Sequence, residues 1–419
     1  MKRWLVAFTV LSLVILAILT ACGGGSDDET STPAKTTTPT ATSNTTTTAT
    51  PTAKTSTPSP TSSGSPIKIG AITSWSGAAA MSGLSLADPI IKTVEWQVKQ
   101  QGGILGGREV KIVKYDNRAS VAEAVAGCQK LMTADKVSVL TLGGVSGAEA
   151  DAMSTFAEEN KILYVTYGAI EVTPNDFIIS ASVGYDELVG AVVNLANKLL
   201  HPKTVAIIAV DLSDGRRRVP LYKNGLEAAG TKTVYEQYVQ IGSMTDMSAY
   251  VTQIRSKNPD LLIIDSGTSE FFMNTMQAFQ DQGGWGNMKV VGLPQVEQAK
   301  ARSGAQGVYI ASLWVPGLPY PGAVKFEQDY ATVNDGKSPS ASQVYYYNCF
   351  WTAIEAIKLA GTDTDLEKIA NMARFSGQLE WDTPMGHAHY TADSSGYPQL
   401  KAIMTQIVDK KLVVVPIPE

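Results

Sequence analysis

The chain has 419 residues, of which 44% are hydrophobic and 17% are charged, and 34 Lys plus Arg stand against 39 Asp plus Glu. This composition is typical of a soluble globular protein. The slightly acidic balance gives no reason to expect a nucleic-acid partner. Three cysteines are too few for a framework of disulfides. Cys128 and Cys349 fall in helix-like stretches, so buried free thiols are expected there, with a bridge between them as the alternative.

The amino terminus has the pattern of a secretory signal. Two basic residues precede an apolar run from Trp4 to Leu19, and small residues follow it. The run is shorter than the ~20 apolar residues that a comfortable membrane span needs. Its ending, Leu-Thr-Ala-Cys, resembles the lipobox of bacterial lipoproteins. The resemblance implies that residues 1–21 are a lipoprotein signal peptide and that Cys22 becomes the first mature residue and carries the lipid.

The next segment, residues 22–65, is dominated by Thr, Ser, Pro and Ala. Such a composition cannot bury enough apolar surface to offset the entropy of the chain. We therefore predict a disordered tether that lets the folded body hang free of the membrane. About 350 residues follow, which is enough for two domains with cores of ordinary size.

From Pro66 onward, apolar β-branched runs alternate with helical patterns. This alternation predicts an α/β fold with parallel sheets wound by right-handed crossovers. The first set of strands is expected at 67–73, 109–115, 137–142 and 162–166, with helices at 84–101, 121–133 and 148–159. A second set follows, with strands at 204–210, 233–239, 261–265 and 289–292 and helices at 186–200, 221–229, 247–257 and 270–282. The sequence thus predicts two Rossmann-like lobes.

The rhythm breaks in the last third of the chain. A strand is expected at 307–309, a proline-rich crossover at 313–321, helices at 324–334 and 344–359, and late strands that include 401–408 and 411–416. Because the chain returns after completing two lobes, we predict a multi-stranded hinge between them.

The glycine-rich turn at residues 143–147 is the first candidate ligand site. It follows a buried strand and begins a helix, so free backbone N–H groups and the positive end of the helix dipole meet there. Crevices at the carboxyl ends of strands are where open α/β sheets bind ligands. An ordinary turn with a Ser cap is the alternative interpretation.

Several stretches of the body carry a family resemblance: IKIGAITSWSG, QQGGILGGREVKIVKYDN, GGVSGAEADAMSTFAEENKILYVT and GKSPSASQVYYYN. The body resembles the leucine/isoleucine/valine-type periplasmic binding proteins, the type I solute-binding proteins of ABC transporters, from Ile67 to Pro418. The resemblance implies two lobes that close on a small solute in the cleft between them. Lobe one would comprise residues 66–185 and 315–394, and lobe two residues 186–314 and 395–419.

The resemblance also implies a set of solute-binding positions. In amino-acid binders of the family, a G-x-x-S-S turn and an Ala-Thr pair on lobe one hold the ligand. The matching positions here are Val145, Ser146, Gly147, Ala169 and Ile170, so two of the usual hydroxyls are absent. On lobe two, Asp214 stands at a position that is often aromatic. Gln295 or Pro294 stands where an acidic residue is expected, and Glu297 is near enough to substitute for it. Tyr347 matches the cleft tyrosine of the family.

Other loop residues are candidates on their chemistry. Trp75 and Trp314 could cover an apolar part of a solute, or pack in the core. Ser76, Ser82 and Glu171 are polar candidates, with Glu171 as a solvated loop charge in the alternative. One of the three arginines at 216–218 could clamp an acidic solute, although such a run is usually a solvated helix start. The solute stays open between a branched or aromatic amino acid, an amide and a small organic or aromatic acid.

Catalytic patterns are missing from the sequence. His387 and His389 could share a strand face and bind metal, but no Cys or acidic ligand set accompanies them at a known spacing. No P-loop, dinucleotide fingerprint or nucleophile elbow occurs, so we predict no enzyme activity, cofactor or metal. The expected function is that of a monomeric, extracytoplasmic protein that delivers its solute to an ABC permease. A sensor that presents its closed form to a membrane receptor is the alternative.

Overall fold

The computed structural model describes residues 64–143, 147–168, 177–392 and 396–418. The described residues form one compact unit. The predicted signal peptide, Cys22 and almost all of the tether lie outside the described residues. No helix in the described ranges has the length and apolar content to cross a membrane.

A five-stranded parallel sheet organises the first lobe. Its strands are β1 (Ile67–Thr73), β2 (Val110–Asp116), β3 (Val139–Leu142), β4 (Tyr164–Thr166) and β5 (Ile178–Ser180), in the order β2-β1-β3-β4-β5. Helices α1 (Asp88–Gln100), α2 (Val121–Lys130) and α3 (Gly147–Glu159) connect them. Strands β1, β3, β4 and β5 are buried almost throughout, as expected when helices cover both faces of a parallel sheet, whereas the edge strand β2 is partly exposed.

A seven-stranded sheet organises the second lobe. Its strands are β6 (Thr204–Val210), β7 (Lys232–Val239), β8 (Leu261–Asp265), β9 (Lys289–Gly292), β10 (Tyr309–Ser312), β13 (Ile403–Val408) and β14 (Lys411–Val414), in the order β14-β13-β10-β9-β8-β6-β7. Only the β10–β13 and β13–β14 pairs are antiparallel. Helices α4 (Tyr185–Leu195), α5 (Ser213–Glu227), α6 (Ser248–Lys257) and α7 (Ser269–Asp281) complete this lobe.

The chain returns to the first lobe after β10. Helices α8 (Pro321–Val333), α9 (Ala341–Ala360) and α10 (Leu366–Phe375) and the hairpin of β11 (Leu379–Thr383) and β12 (Gly386–Tyr390) pack into the core of that lobe. Within the described residues, the chain therefore passes between the lobes after β5, after β10 and before β13. These crossings bring the carboxyl ends of both parallel sheets to the region between the lobes.

The predicted α/β fold class is confirmed, and β1, β6, β8 and β9 begin and end where the sequence pattern predicts. The strand predicted at 307–309 is wrong, because the strand runs over Tyr309–Ser312 and pairs with β9 and β13. The helix predicted to begin at 221 begins at Ser213 and continues through Pro220. Pro220 is exposed, and the only hydrogen bond that its ring removes is the one to the carbonyl of Arg216.

The two cysteines of the body lie in different cores. Cys349 packs beside the first sheet with α9, and Cys128 lies on α2 on the other face of the same sheet. Both are free thiols. Burial raises the pKa of the Cys128 thiol to about 12, so this thiol stays protonated and unreactive at neutral pH.

Candidate ligand-binding cavity

A cavity of about 400 Å³ lies between the two lobes. Residues within two positions of strand ends line it: Tyr167 and Gly168 after β4, Ser182 after β5, and Gly267 after β8. Parallel strands end at the same edge of their sheet, so these loops converge on one region. The volume is within the range of pockets that enclose small organic ligands.

A buried ion pair supports the second-lobe wall. Arg218 on α5 donates from Nε and Nη2 to the two carboxylate oxygens of Asp265, at 2.8 and 2.7 Å. The side chain of Arg218 is 6% exposed and that of Asp265 is 1% exposed, so water does not compete for these hydrogen bonds. Burial alone would lower the pKa of the Arg218 guanidinium, but the hydrogen bonds and charge of Asp265 raise it above its usual value. Arg218 is therefore a fixed cation at the edge of the cavity.

Asp214 stands one helical turn before Arg218 and also lines the cavity. The hydroxyl of Tyr185 donates to its Oδ1 at 2.7 Å, and its Oδ2 lies 3.7 Å from Nη1 of Arg218. Burial and the hydrogen bond to Asp214 raise the pKa of Tyr185. Tyr185 is the first residue of α4, directly after a crossing between the lobes. This hydrogen bond therefore ties a hinge segment to the charged wall.

A second carboxylate, that of Glu297, lies on a 3-10 helix after β9. Its Oε1 accepts a hydrogen bond from the ammonium of Lys300 at 2.8 Å. Tyr345, on the first lobe, lines the same cavity, and burial together with the charge of Glu297 raises its pKa. The phenol of Tyr345 thus stays protonated at neutral pH and is available as a hydrogen-bond donor.

The first-lobe wall is aromatic and carries hydroxyl groups. The rings of Tyr167 and Tyr346 stack with centroids 5.1 Å apart and an interplanar angle of 24°. Burial raises the pKa of both phenols. Ser342 at the start of α9 adds another hydroxyl. The start of this helix is held by a capping box between Ser340 and Gln343. Such a wall suits the face of a flat or branched apolar group with polar atoms at its edge.

The sequence pattern of the family described as "Periplasmic binding protein" matches residues 66–411. The chain belongs to the periplasmic binding protein family. Membership implies an extracytoplasmic location. Membership makes this chain a binding protein and not an enzyme.

Solved structures of leucine-, substrate- and solute-binding proteins share the fold over nearly their whole length. The leucine binding protein LivK of Thermotoga maritima is 21% identical, with 84% of this chain and 98% of that chain covered and a TM-score of 0.69. LivJ of Streptococcus pneumoniae, in complex with isoleucine, is 18% identical, with 84% and 99% covered and a TM-score of 0.70. A solute-binding protein of R. palustris, in complex with benzoate, is 20% identical, with 84% and 95% covered and a TM-score of 0.68.

The structure brings some of the predicted site residues to the cavity. Ser82 and Asp214 line it. Gly147 begins α3, whose next turn reaches the cavity through Ala150. The side chain of Gln295 lies outside the described residues, as do these predicted positions: Val145, Ser146, Ala169, Ile170 and Glu171. For all of these residues, the role in solute binding stays a prediction.

Tyr347 and Trp314 do not line the cavity. Tyr347 is 5% exposed, and its ring centroid lies 4.3 Å from that of Phe326 in the core of the first lobe. Trp314 is buried in the same core and contacts Phe326 edge-on. Tyr345 and Tyr346 line the cavity. Tyr345 and Tyr347 are two residues apart on a helix, so their side chains point in nearly opposite directions.

Trp75 and Ser76 also lie away from the cavity. Trp75 packs against the backbone of Gly83, and its indole nitrogen donates to Asp88 at 2.8 Å. Ser76 is exposed and donates to Asp116 at 2.6 Å. Neither residue lines the cavity, whereas Ser82 in the following helical segment does.

The sequence reasoning missed most of the aromatic wall. Tyr167 directly follows the predicted strand 162–166, and Tyr185 directly follows the crossing from β5. Ligands bind at the carboxyl ends of parallel strands, so each residue that follows a predicted strand is a candidate. Tyr167 meets this criterion. Arg218 belongs to the arginine run that the sequence offers as a clamp for an acidic solute, but its hydrogen bonds go to Asp265 of its own lobe.

His387 and His389 share one face of β12, as their spacing predicts. They face Asp382 and Glu380 on β11, at 2.8 and 3.3 Å, so the hairpin supplies the carboxylates that the sequence spacing did not reveal. Hydrogen bonding to Asp382 raises the pKa of His387. Within the part of the chain that the structure describes, no group of three or more such side chains is arranged to hold a metal ion.

Proposed function

We propose that this protein captures a small polar solute outside the cytoplasm and delivers it to an ABC permease. The two lobes, comprising residues 66–185 with 315–394 and 186–314 with 395–419, close on the solute by rotating about the crossings. A lipid on Cys22 holds the protein at the membrane, and the protein acts as a monomer.

The observation that carries the proposal is the composition of the cavity. Stacked tyrosines on one lobe face the side chains of Asp214, Arg218 and Glu297 on the other. An aromatic or branched apolar group fits the first wall, and polar atoms of the same molecule fit the second. Leucine, isoleucine and benzoate, which are named for the similar structures, each combine an apolar group with a polar group. The expected solute is a branched-chain or aromatic amino acid, an amide, or a small organic or aromatic acid.

A thermal-shift screen of residues 66–419 against these classes tests the proposal. A compound that binds only the native state stabilises it, by about 2.7 kcal/mol at a concentration of 100 Kd. This stabilisation raises the melting temperature. We expect at least one class to give a concentration-dependent shift. A flat response to every class at millimolar concentration would contradict the proposed function.

A pair of tyrosine variants tests where the solute binds. Tyr345→Ala removes part of the aromatic wall and is expected to weaken binding about tenfold, equivalent to about 1.4 kcal/mol. Tyr250→Ala, on α6 of the second lobe and outside the cavity, is the matched control and should leave the affinity unchanged. Equal affinities of the two variants in titration calorimetry would place the solute elsewhere.

The lipid anchor has its own test. Cys22→Ala removes the only thiol at the predicted cleavage point and is expected to move the full-length protein from the membrane fraction to the supernatant. Solute binding should be unaffected, because the cavity is formed by the body. Retention of the variant in the membrane fraction would count against lipidation at this residue.

A further inference from the structure

We infer that Asp214 and Arg218 together recognise a carboxamide group of the solute, the hydrogen-bond donor being Nη1 of Arg218 and the acceptor Oδ2 of Asp214. The inference deepens the proposed function and depends on it. It concerns one corner of the cavity, where α5 begins on the second lobe.

The donors of Arg218 are unequally used. Nε and Nη2 both donate to Asp265, at 2.8 and 2.7 Å. Nη1 has Asp214 as its ion-pair partner at 3.7 Å, which is longer than a hydrogen bond. A buried guanidinium gains most when each nitrogen finds an acceptor at hydrogen-bonding distance. Nη1 is therefore the part of this fixed cation that can still donate to a solute.

The acceptors of Asp214 are unequally used as well. Oδ1 accepts from the hydroxyl of Tyr185 at 2.7 Å, while Oδ2 is the oxygen that lies nearest Arg218. The side chain is 46% exposed and borders the cavity. A strong donor and a strong acceptor thus stand side by side on one wall. A carboxamide offers the matching pair, since its oxygen accepts and its NH2 group donates.

The charge of this corner argues against a carboxylate. Among the described residues that line the cavity, Arg218 is the one cation, and Asp265 already pairs with it through two hydrogen bonds. Adding Asp214 leaves one net negative charge, so a solute carboxylate would be the third carboxylate around one guanidinium and would be repelled. An ammonium group would satisfy Asp214 but would leave Nη1 without an acceptor. Of these three groups, the carboxamide is the one that satisfies both atoms and adds no charge.

Titration calorimetry with matched compounds tests the inference. Benzamide, benzoate and benzylamine share one ring and differ only in the group presented, and isovaleramide, isovalerate and isoamylamine form the aliphatic counterpart. In at least one set, we expect the amide to bind about tenfold or more tightly than the acid and the amine. An acid or amine that equals or exceeds its amide in both sets overturns the inference.

Asp214→Asn provides the decisive variant. It removes the negative charge and replaces an acceptor oxygen with an NH2 donor, so the amide should bind about tenfold more weakly and the acid about tenfold more tightly. Asp211→Asn is the matched control, because Asp211 pairs with Arg216 outside the cavity. An unchanged ratio of amide to acid affinity in Asp214→Asn would refute the assignment.

The inference and the proposed function fail differently. If no compound of any class binds in the thermal-shift screen, both are wrong. If amino acids or acids bind and their affinity depends on Tyr345, the proposed function stands and the carboxamide assignment alone falls.

Discussion

Replacing Arg218 with Met is expected to lower the free energy of unfolding by about 3–5 kcal/mol. The substitution keeps the apolar stem but removes both hydrogen bonds to Asp265. The carboxylate that remains is 1% exposed and has lost its cation, which is among the most costly arrangements in a protein interior. Equilibrium denaturation in urea, followed by circular dichroism, measures the effect.

Two further variants separate charge from packing. Lys232→Met changes an exposed cation at the start of β7 in the same lobe and should alter stability by no more than about 0.5 kcal/mol. Adding Asp265→Asn to Arg218→Met removes the uncompensated charge and should restore part of the lost stability. If the double variant is no more stable than Arg218→Met alone, the loss arises from packing and the electrostatic explanation fails.

This ion pair also marks what the sequence could not reveal. Asp265 ends a strand that the sequence pattern predicts correctly, and Arg218 belongs to a conspicuous basic run. The two lie 47 positions apart, and only the pairing of β6 with β8 brings them together. Three adjacent arginines shortly before a proline look like a solvated segment when this contact is not known. The sequence pattern therefore places the helix start at residue 221, eight residues after the observed start at Ser213.

The tyrosines of α9 illustrate a different limit. A helix with one apolar face has a phase that periodicity reveals, because its polar residues point to water. Helix α9 is buried on nearly all sides, so its apolar residues recur without a preferred face. The sequence could predict that a tyrosine near its start reaches the cavity. It could not predict that Tyr345 and Tyr346 do so while Tyr347 packs in the core.

The end of β3 shows where local sequence signals succeed. Leu142 and Gly143 both have positive φ values, 76° and 84°, where the chain leaves the strand toward the predicted anion-binding turn. Glycine adopts this backbone conformation without strain, whereas leucine does so at a cost of about 1–3 kcal/mol. Strained residues often mark a functional turn, and this one precedes the helix α3 that reaches the cavity. The glycine pair in the sequence predicts the turn, and the structure shows in addition that Leu142 has a strained backbone conformation.

Gly143→Ala is expected to destabilise the protein by about 2–5 kcal/mol, from two sources. A methyl group at this φ costs roughly 1–2 kcal/mol in backbone strain. It would also lie 1.7 Å from the hydroxyl oxygen of Tyr164, which is fully buried and donates to the carbonyl of Leu142. Relieving that overlap moves a core side chain, at a further cost of about 1–3 kcal/mol. Thermal and urea denaturation measure the sum.

Matched variants divide the two sources. Gly77→Ala has a similar φ of 71° and no atom within 4 Å of the new methyl group, so it should show the strain alone. Tyr164→Phe removes the overlapping oxygen, although Cζ would still lie 2.9 Å from the methyl group. The double variant Gly143→Ala with Tyr164→Phe should therefore lose less stability than the sum of the single variants. Strict additivity would mean that the overlap is avoided by other movements, and that backbone conformation alone requires glycine where β3 opens toward the cavity.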